Sequence, residues 1–304
     1  EVKLFNFHSK IYEYNSSYSG KDLILKICNN LNIIEPRYFG LQYLTIENGY
    51  KRWLKREDNI VETFKGIHNL SFNFIFQYYP TSFDVIMDCM TLYYLVEQIK
   101  NNILLEKIKC TLPIKHSLFS KLCQAQFGDF TTNTFKVDSF IDPEILKTKK
   151  SQLQFHKQYE LLHSLTFIEA DKLFLQDALT LSDYGMERYD SNDTKQFGLS
   201  PNGIFRFNHD EKHKICNWKI FKKCSLFLGK LRIFYEKEKN KTTSRIFKSF
   251  DKNNLIEVIR ANKHVYSISL FSEIKFHDHI IPLRKILINH QNRKDNSHLD
   301  KDIC

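Results

Sequence analysis

Glycine and proline are scarce in this 304-residue chain, at 9 and 6 residues. So few turn-formers leave little room for long flexible linkers or for the glycine-lined loops that cradle nucleotides. The seven cysteines, at positions 28, 89, 110, 123, 216, 224 and 304, are odd in number and include no CxxC spacing. A disulfide framework and a structural zinc site are both disfavoured, and a reducing compartment fits better. Long apolar runs are missing as well. The longest uncharged stretch, residues 66–83, is broken by His68, Asn69, Asn73, Gln77 and Pro80, so nothing reads as a transmembrane helix. The opening residues read as a strand rather than a secretory leader, and with Glu1 in place of a Met the chain is expected to be a piece of a longer protein.

Catalytic patterns are equally thin. No GxxxxGK[ST], GxGxxG, HExxH or GxSxG occurs. Tyrosine phosphatase chemistry needs a thiolate with an arginine six positions on to hold a phosphate. The residues six after the first six cysteines are Ile34, Leu95, His116, Asp129, Lys222 and Lys230, none of them arginine.

What is present is apolar and basic. Hydrophobic types reach 42%, with 26 Phe and 15 Tyr, which excludes a disordered or collagen-like chain and supplies several cores. Lys plus Arg (45) against Asp plus Glu (35) gives +10, which favours anionic partners.

Three patterns follow one another. Residues 1–80 read as a small mixed unit: strands at Val2–Phe5 and Ile11–Tyr14, then a helix started by Ser19 to Asp22 and closed by Pro36. A hairpin then turns at Asn48-Gly49, and a strand has Phe72, Phe74, Phe76 and Tyr78 on one face. Residues 81–182 switch to helical spacing. Thr81 to Asp84 is read as a capping box ahead of a stripe of Val85, Cys89, Leu92, Val96, Ile99 and Ile103, with Leu95 off the stripe. Pro113 opens a helix that Gly128 closes, another is expected around residues 153–162, and Thr166 to Glu169 is a capping box for a fourth. Residues 183–268 return to six or seven short strands, with turns at 190–193, 201–203, 209–210, 229 and 240, and end in a helix over 251–266. Residues 269–304 form a tail, polar and disordered beyond 284.

A ubiquitin-like roll, a helical bundle and a small barrel closed by one helix resemble, in that order, the FERM domain shared by band four-point-one, ezrin, radixin, moesin and merlin. Tyr38-Phe39-Gly40-Leu41 with Trp53-Leu54-Lys55 is similar to the family's first lobe, and Gln124-Ala125-Gln126-Phe127-Gly128-Asp129-Phe130 to its second. Glu169-Ala170, Asp183-Tyr184-Gly185, Gly198, Gly203-Ile204 and Trp218 follow the pattern into the third. The resemblance implies a multidomain α+β fold of a ubiquitin-like roll, a four-helix bundle like acyl-CoA-binding protein and a PH/PTB-like barrel with a C-terminal helix. Tyr38-Phe39-Gly40-Leu41-Gln42-Tyr43, Arg52-Trp53 and Cys110-Thr111-Leu112 look closest to the FERM regions of non-receptor tyrosine phosphatases.

The function this implies is binding without chemistry and without a cofactor: a cytoplasmic module on the inner face of the plasma membrane, joining membrane-protein tails or phosphoinositides to cytoskeletal proteins. The alternative is the targeting region of a tyrosine phosphatase whose catalytic domain follows. Lys55, of the Trp-Leu-Lys motif, and Lys252 are the expected lipid-headgroup contacts, with Lys222 and Lys223 as helpers, although Asp58 stands where the family has a second lysine. A receptor tail is expected to add as a strand beside Ile220–Phe227, touching Ile220, Lys222, Cys224 and Leu226, with Leu255, Ile256 and Ile259 as candidates for the groove, some of them core instead. Apolar residues of 270–283 are a competing cover for that edge. Residues 222–248 carry nine basic side chains against Glu236 and Glu238, or +7, read either as a solvated face or as a surface for anionic lipid. The base–aromatic alternation of Arg232 to Tyr235 raises nucleic acid as a rival, but no RNA- or DNA-binding signature accompanies it. Tyr38, Phe39, Gly40 and Phe127-Gly128-Asp129 are expected to pack, Trp218 to be a half-buried strand residue, and His277-Asp278-His279 to be solvated rather than metal-bound.

Overall fold

A computed structural model describes residues 1–5, 9–45, 51–67, 69–131, 140–189, 195–208, 211–227, 230–238, 241–247 and 252–267. The Asn48-Gly49 turn, the turns at 190–193, 209–210, 229 and 240, the histidine pair and everything expected of the tail lie outside these residues.

The first lobe builds one mixed sheet from β1 (Val2–Lys3), β2 (Ser9–Lys10), β3 (Phe39–Leu44), β4 (Lys51–Trp53) and β5 (Phe72–Phe76), in the order β2-β1-β5-β3-β4. Phe72, Phe74 and Phe76 are buried while Asn73 and Ile75 are half-buried, the period of two that the sequence shows. Phe39 stacks on Phe74 at 5.1 Å, and Phe5 meets both edge-on. Helix α1 (Gly20–Asn30) buries Leu23, Ile24, Ile27 and Cys28. Ser19 and Asp22 cap it reciprocally, the Ser19 N–H donating to Asp22 Oδ2 at 2.9 Å and the Asp22 N–H to Ser19 Oγ at 3.3 Å. The helix ends at Asn30, and Pro36 opens a 3₁₀ turn (Pro36–Tyr38) rather than closing the helix. A single-turn helix, α2 (Ile60–Thr63), has no counterpart in the sequence reading; Asn59 caps it.

The second lobe is helical: α3 (Cys89–Leu104), α4 (Leu112–Phe127), the one-turn α5 (Pro143–Leu146), α6 (Lys149–Glu160) and α7 (Phe167–Thr180). Two expectations fail at α3. The cap is Asp88, whose carboxylate accepts from the Met90 and Thr91 N–H groups, while Thr81 to Asp84 lies in a bend and a 3₁₀ turn before it. Leu95, placed off the stripe, is fully buried beside Leu92, Val96 and Ile99, because α3 meets neighbours on more than one side. In α6 the buried side chains are Ser151, Phe155 and Tyr159, whereas Leu153 and Leu161 face outward. Gly128 ends α4 at φ 78°, and its carbonyl accepts from the Tyr159 hydroxyl at 2.7 Å. The capping box of α7 is complete: Thr166 N–H to Glu169 Oε2 at 2.8 Å, and Glu169 N–H back to Thr166 Oγ1.

The third lobe has two antiparallel sheets. β6 (Glu187–Tyr189), β7 (Lys195–Ser200), β8 (Gly203–Asn208) and β9 (Glu211–Cys216) form one; β10 (Phe221–Phe227), β11 (Lys230–Glu238) and β12 (Lys241–Phe247) form the other, each in sequence order. Helix α8 (Lys252–Ser267) lies along β10 and β11. Their shared core includes Phe197, Ile204, Phe221, Leu231, Ile233, Leu255 and Ile259. Trp218 belongs to this core too. It is 3% exposed, sits in the turn before β10, and donates from Nε1 to the Ser200 carbonyl at 2.8 Å, so it is no half-buried strand residue.

Two compact units result. Lobes one and three share the first, from Glu1–Ile27, Pro36–Ser82 and the chain from Ser182 through α8; Cys28–Glu35 and Phe83–Leu181 form the second.

Candidate functional site

The first feature able to bind is the β10 edge. β10 pairs with β11 on one side, and among the described residues no strand pairs with the other, so its outward N–H and C=O groups form an unextended ladder. α8 flanks this strand. Cys224 is buried against it, with its thiol 4.0 Å from the Ile256 carbonyl and hydrogen-bonded by the Arg260 side chain. Burial raises the thiol's pKa, which leaves it inert as a nucleophile. One turn on, Lys263 donates to the Trp218 carbonyl at 2.7 Å and lies over the Phe221 ring; burial and neighbouring Lys222 lower its pKa. The strip beside β10 therefore carries the cations Arg260 and Lys263, with Lys222 at its margin in an ion pair with Glu236 at 2.5 Å.

Of the residues expected to meet a peptide, Ile220 is half-buried in the turn before β10, Lys222 is exposed, and Cys224 is buried. Leu226 lies on β10, with its side chain outside the described part. Leu255, Ile256 and Ile259 correct the expectation. They are 2%, 8% and 0% exposed and belong to the core, since the apolar face of α8 is used up in closing the barrel. They support the groove without lining it.

The second feature is a cavity of 340 Å³ between elements of lobes one and three, walled by Trp53, Leu54, Lys55, Arg56, Gln77, Tyr78, Val258 and Arg260, with Glu57 as its acidic member. Lys55 lines it. Lys222 and Lys223 do not, being on β10, and Lys252 is the first residue of α8, with its side chain outside the described part. Arg56 and Arg260 take their place, two residues the sequence did not mark. Arg56 is partly committed, donating to the Pro36 and Phe39 carbonyls at 2.9 and 3.0 Å. Burial pushes the Tyr78 hydroxyl up to about 12, so it enters as a neutral donor. An arginine and a lysine facing one hollow can hold an anion.

Near this cavity, the lobes of the first unit are fastened by polar bonds. The Glu187 carboxylate on β6 accepts from Trp53 Nε1 at 2.8 Å and from Gln42 Nε2 at 3.2 Å. Burial raises its pKa, an effect the bonds from Trp53 and Gln42 oppose. Tyr184 donates to the Pro80 carbonyl at 2.9 Å, and the Tyr79 N–H donates to the Tyr266 hydroxyl. No signal in a single sequence marks Glu187 as different from any other strand glutamate.

Among the described residues no helix is long and apolar enough to cross a membrane, and no three metal-binding side chains cluster. Family models match residues 2–66 as the FERM N-terminal domain and residues 83–189 as the FERM central domain. Human Protein 4.1 is 28% identical over 228 residues, covering 70% of this chain and 26% of its own length. Mouse FERM domain-containing protein 7 is 25% identical, covering 74% of this chain and 32% of its own. The chain thus spans only a minor part of these relatives. The solved FERM and C-terminal domain complex of Drosophila Merlin superposes with a TM-score of 0.74 at 19% identity, over 88% of this chain and 96% of that one. The MyTH4-FERM MF2 domain of Dictyostelium myosin VII gives 0.67 at 12% identity, over 86% and 57%. At such identities these structures speak for the fold.

Proposed function

The chain belongs to the FERM family, and from that premise we propose that it is a non-catalytic adaptor that captures the cytoplasmic tail of a membrane protein by strand addition to β10. It would thereby link membrane proteins to the cortical cytoskeleton from the inner face of the plasma membrane. The observation that carries this reading is the β10 edge, paired on one side only among the described residues and flanked by α8. Backbone pairing supplies affinity with little demand on side chains, and Lys222, Arg260 and Lys263 favour a tail with acidic residues. A second reading concerns the cavity: Lys55 and Arg260 suit an anionic headgroup such as an inositol phosphate. A phosphatase-targeting role would use the same surfaces, since it too needs only a module that binds.

Consecutive residues of a strand send their N–H groups to opposite edges. Of Cys224→Pro and Ser225→Pro, one therefore blocks the open edge and the other disturbs the pairing with β11. Capture of an acidic tail peptide, read by fluorescence anisotropy, is expected to vanish for the first of these in a protein that still melts cooperatively. Undiminished capture by both variants, each folded, overturns strand addition.

A further inference from the structure

Helix α6 breaks two local rules on its outer face. Its inner face is ordinary: Phe155 and Tyr159 are buried in the bundle, and Ser151 Oγ meets the buried His116 ring of α4 at 2.7 Å. On the outside Lys150, Leu153, Lys157 and Leu161 are all exposed, with Leu153 at 56% and Leu161 at 84%. At about 100° per residue these four fall within roughly 80° of one another, a single file along the axis. Leu161 belongs to the file because it caps α6 with helical backbone, at φ −67° and ψ −14°. It stands about 12 Å along the axis from Leu153, with Lys157 midway. The second broken rule concerns charge. Lys149 and Lys150 occupy the first two positions of α6 and its first turn holds no acidic residue, although the positive end of the helix dipole disfavours cations there. Exposed Lys147 adds a third cation at this end. Among the described residues none of Lys147, Lys149, Lys150 and Lys157 is paired with a carboxylate, and Glu144 of neighbouring α5 is spent on Lys115 at 2.7 Å. These four lysines against Glu160 make four minus one, a net +3 along the face.

We propose that the outer face of α6 docks an acidic amphipathic helix of a partner protein. Its apolar side chains cover Leu153 and Leu161, and its carboxylates meet the lysines set among them. A helix laid alongside opposes both leucines when two of its own apolar residues are about two turns apart. Its carboxylates also supply the negative charge that the first turn of α6 lacks. Two local rules broken on one solvent face, with nothing gained inside the fold, mark a surface kept for contact. Charge chooses among the occupants. A second copy presents the same +3 face and is repelled. The chain's own residues 268–304 hold six Lys and Arg against five Asp and Glu, so they bring no acidic excess. A helix lying on a membrane has its apolar residues on one side and its cations on the other. Here leucine and lysine share a single file, and the opposite side of α6 is taken by α4. The face belongs to the second lobe and shares no residue with β10 or the cavity, so the proposal goes beyond both of those readings.

The probe is an alanine-based helical peptide with Leu-x3-Glu-x3-Leu at its centre and glutamates on both flanks. It fits in either direction, because Lys157 stands midway between the two leucines of α6. Fluorescence anisotropy with the full chain reads its capture, which is expected to saturate and to weaken with salt. Leu153→Ser and Leu161→Ser should each weaken capture on the order of tenfold. Lys150→Glu with Lys157→Glu should abolish it, and a peptide with lysines in place of the glutamates should bind that variant and not the parent. All four positions are exposed, so every variant should melt as the parent does. No saturable capture by the parent overturns the proposal. So does equal capture of a peptide with the same residues in scrambled order, or parent-like capture by the leucine or charge variants. Sedimentation with phosphatidylserine vesicles that Leu161→Ser reduces, without peptide capture, makes the helix a lipid contact and refutes it. Dimerisation lost on Leu161→Ser, again without peptide capture, makes it a self-contact and also refutes it. The proline variants of β10 should capture this probe as the parent does; loss of capture there assigns the probe to the strand edge, so the two readings fail separately.

Discussion

Replacing Glu187 by alanine or by glutamine separates the two things its carboxylate does. It satisfies the Trp53 indole at 2.8 Å and the Gln42 amide at 3.2 Å, and Trp53 and Gln42 are each only 8% exposed. Alanine leaves both donors without this acceptor, at about 1–3 kcal/mol apiece, partly offset because a buried charge disappears; a net loss of about 2–4 kcal/mol is expected. Glutamine keeps an oxygen for the indole and removes the charge, so it should stay within about 1 kcal/mol of the parent at neutral pH. The pH dependence has a definite sign. Burial raises the folded-state pKa above 4.5, so the folded protein holds this proton more tightly than the unfolded chain does. The proton-linked stabilisation is fully present below 4.5 and is lost as pH rises through the folded value. The parent should therefore gain on Glu187→Gln as pH falls from the neutral range toward the carboxylate range. Urea unfolding at several pH values, followed by Trp fluorescence, measures both effects. Equal midpoints for the alanine and glutamine variants would refute the bonding argument, and a parent that loses ground to glutamine on acidification would refute the burial argument.

Two further substitutions test the packing. Leu95→Asp should destabilise the second lobe as much as Leu92→Asp, since both side chains are buried, at 0% and 2% exposed, and a charge there has no partner; a thermal melt in which Leu95→Asp behaves like a surface variant contradicts the α3 register. Gly203→Ala should cost more than the ordinary 0.5–1 kcal/mol, roughly, of a glycine exchange. Its φ is +124° and a Cβ would stand 2.1 Å from the Cys216 carbonyl oxygen, so unchanged stability of this variant by urea titration would argue against the β7–β8 turn and its close approach to the end of β9.

What the sequence determined by itself is local. The Thr166–Glu169 cap, the alternation of Phe72, Phe74 and Phe76, the Pro113 start and the Gly128 stop each depend on neighbours within one turn or one pleat, and each stands in the structure as read. The lobe order was legible for the same reason, because the change from period two to helical spacing and back needs no long-range contact. Tertiary structure decided the rest. One helical stripe cannot say how many neighbours a helix will meet, so Leu95 was misplaced and the α8 leucine and isoleucines, apolar enough for a groove, were spent on the core. Lys55 and Arg260 line one cavity only because the segment after β4 and α8, far apart in the chain, wall it together. An irregularity in β10 turns two successive lysines outward where simple alternation would bury one, and the β10 edge is defined by which strand lies beside it and which does not. Binding surfaces are properties of juxtaposed elements, and juxtaposition is fixed by burial summed over the whole domain rather than by any segment's own pattern.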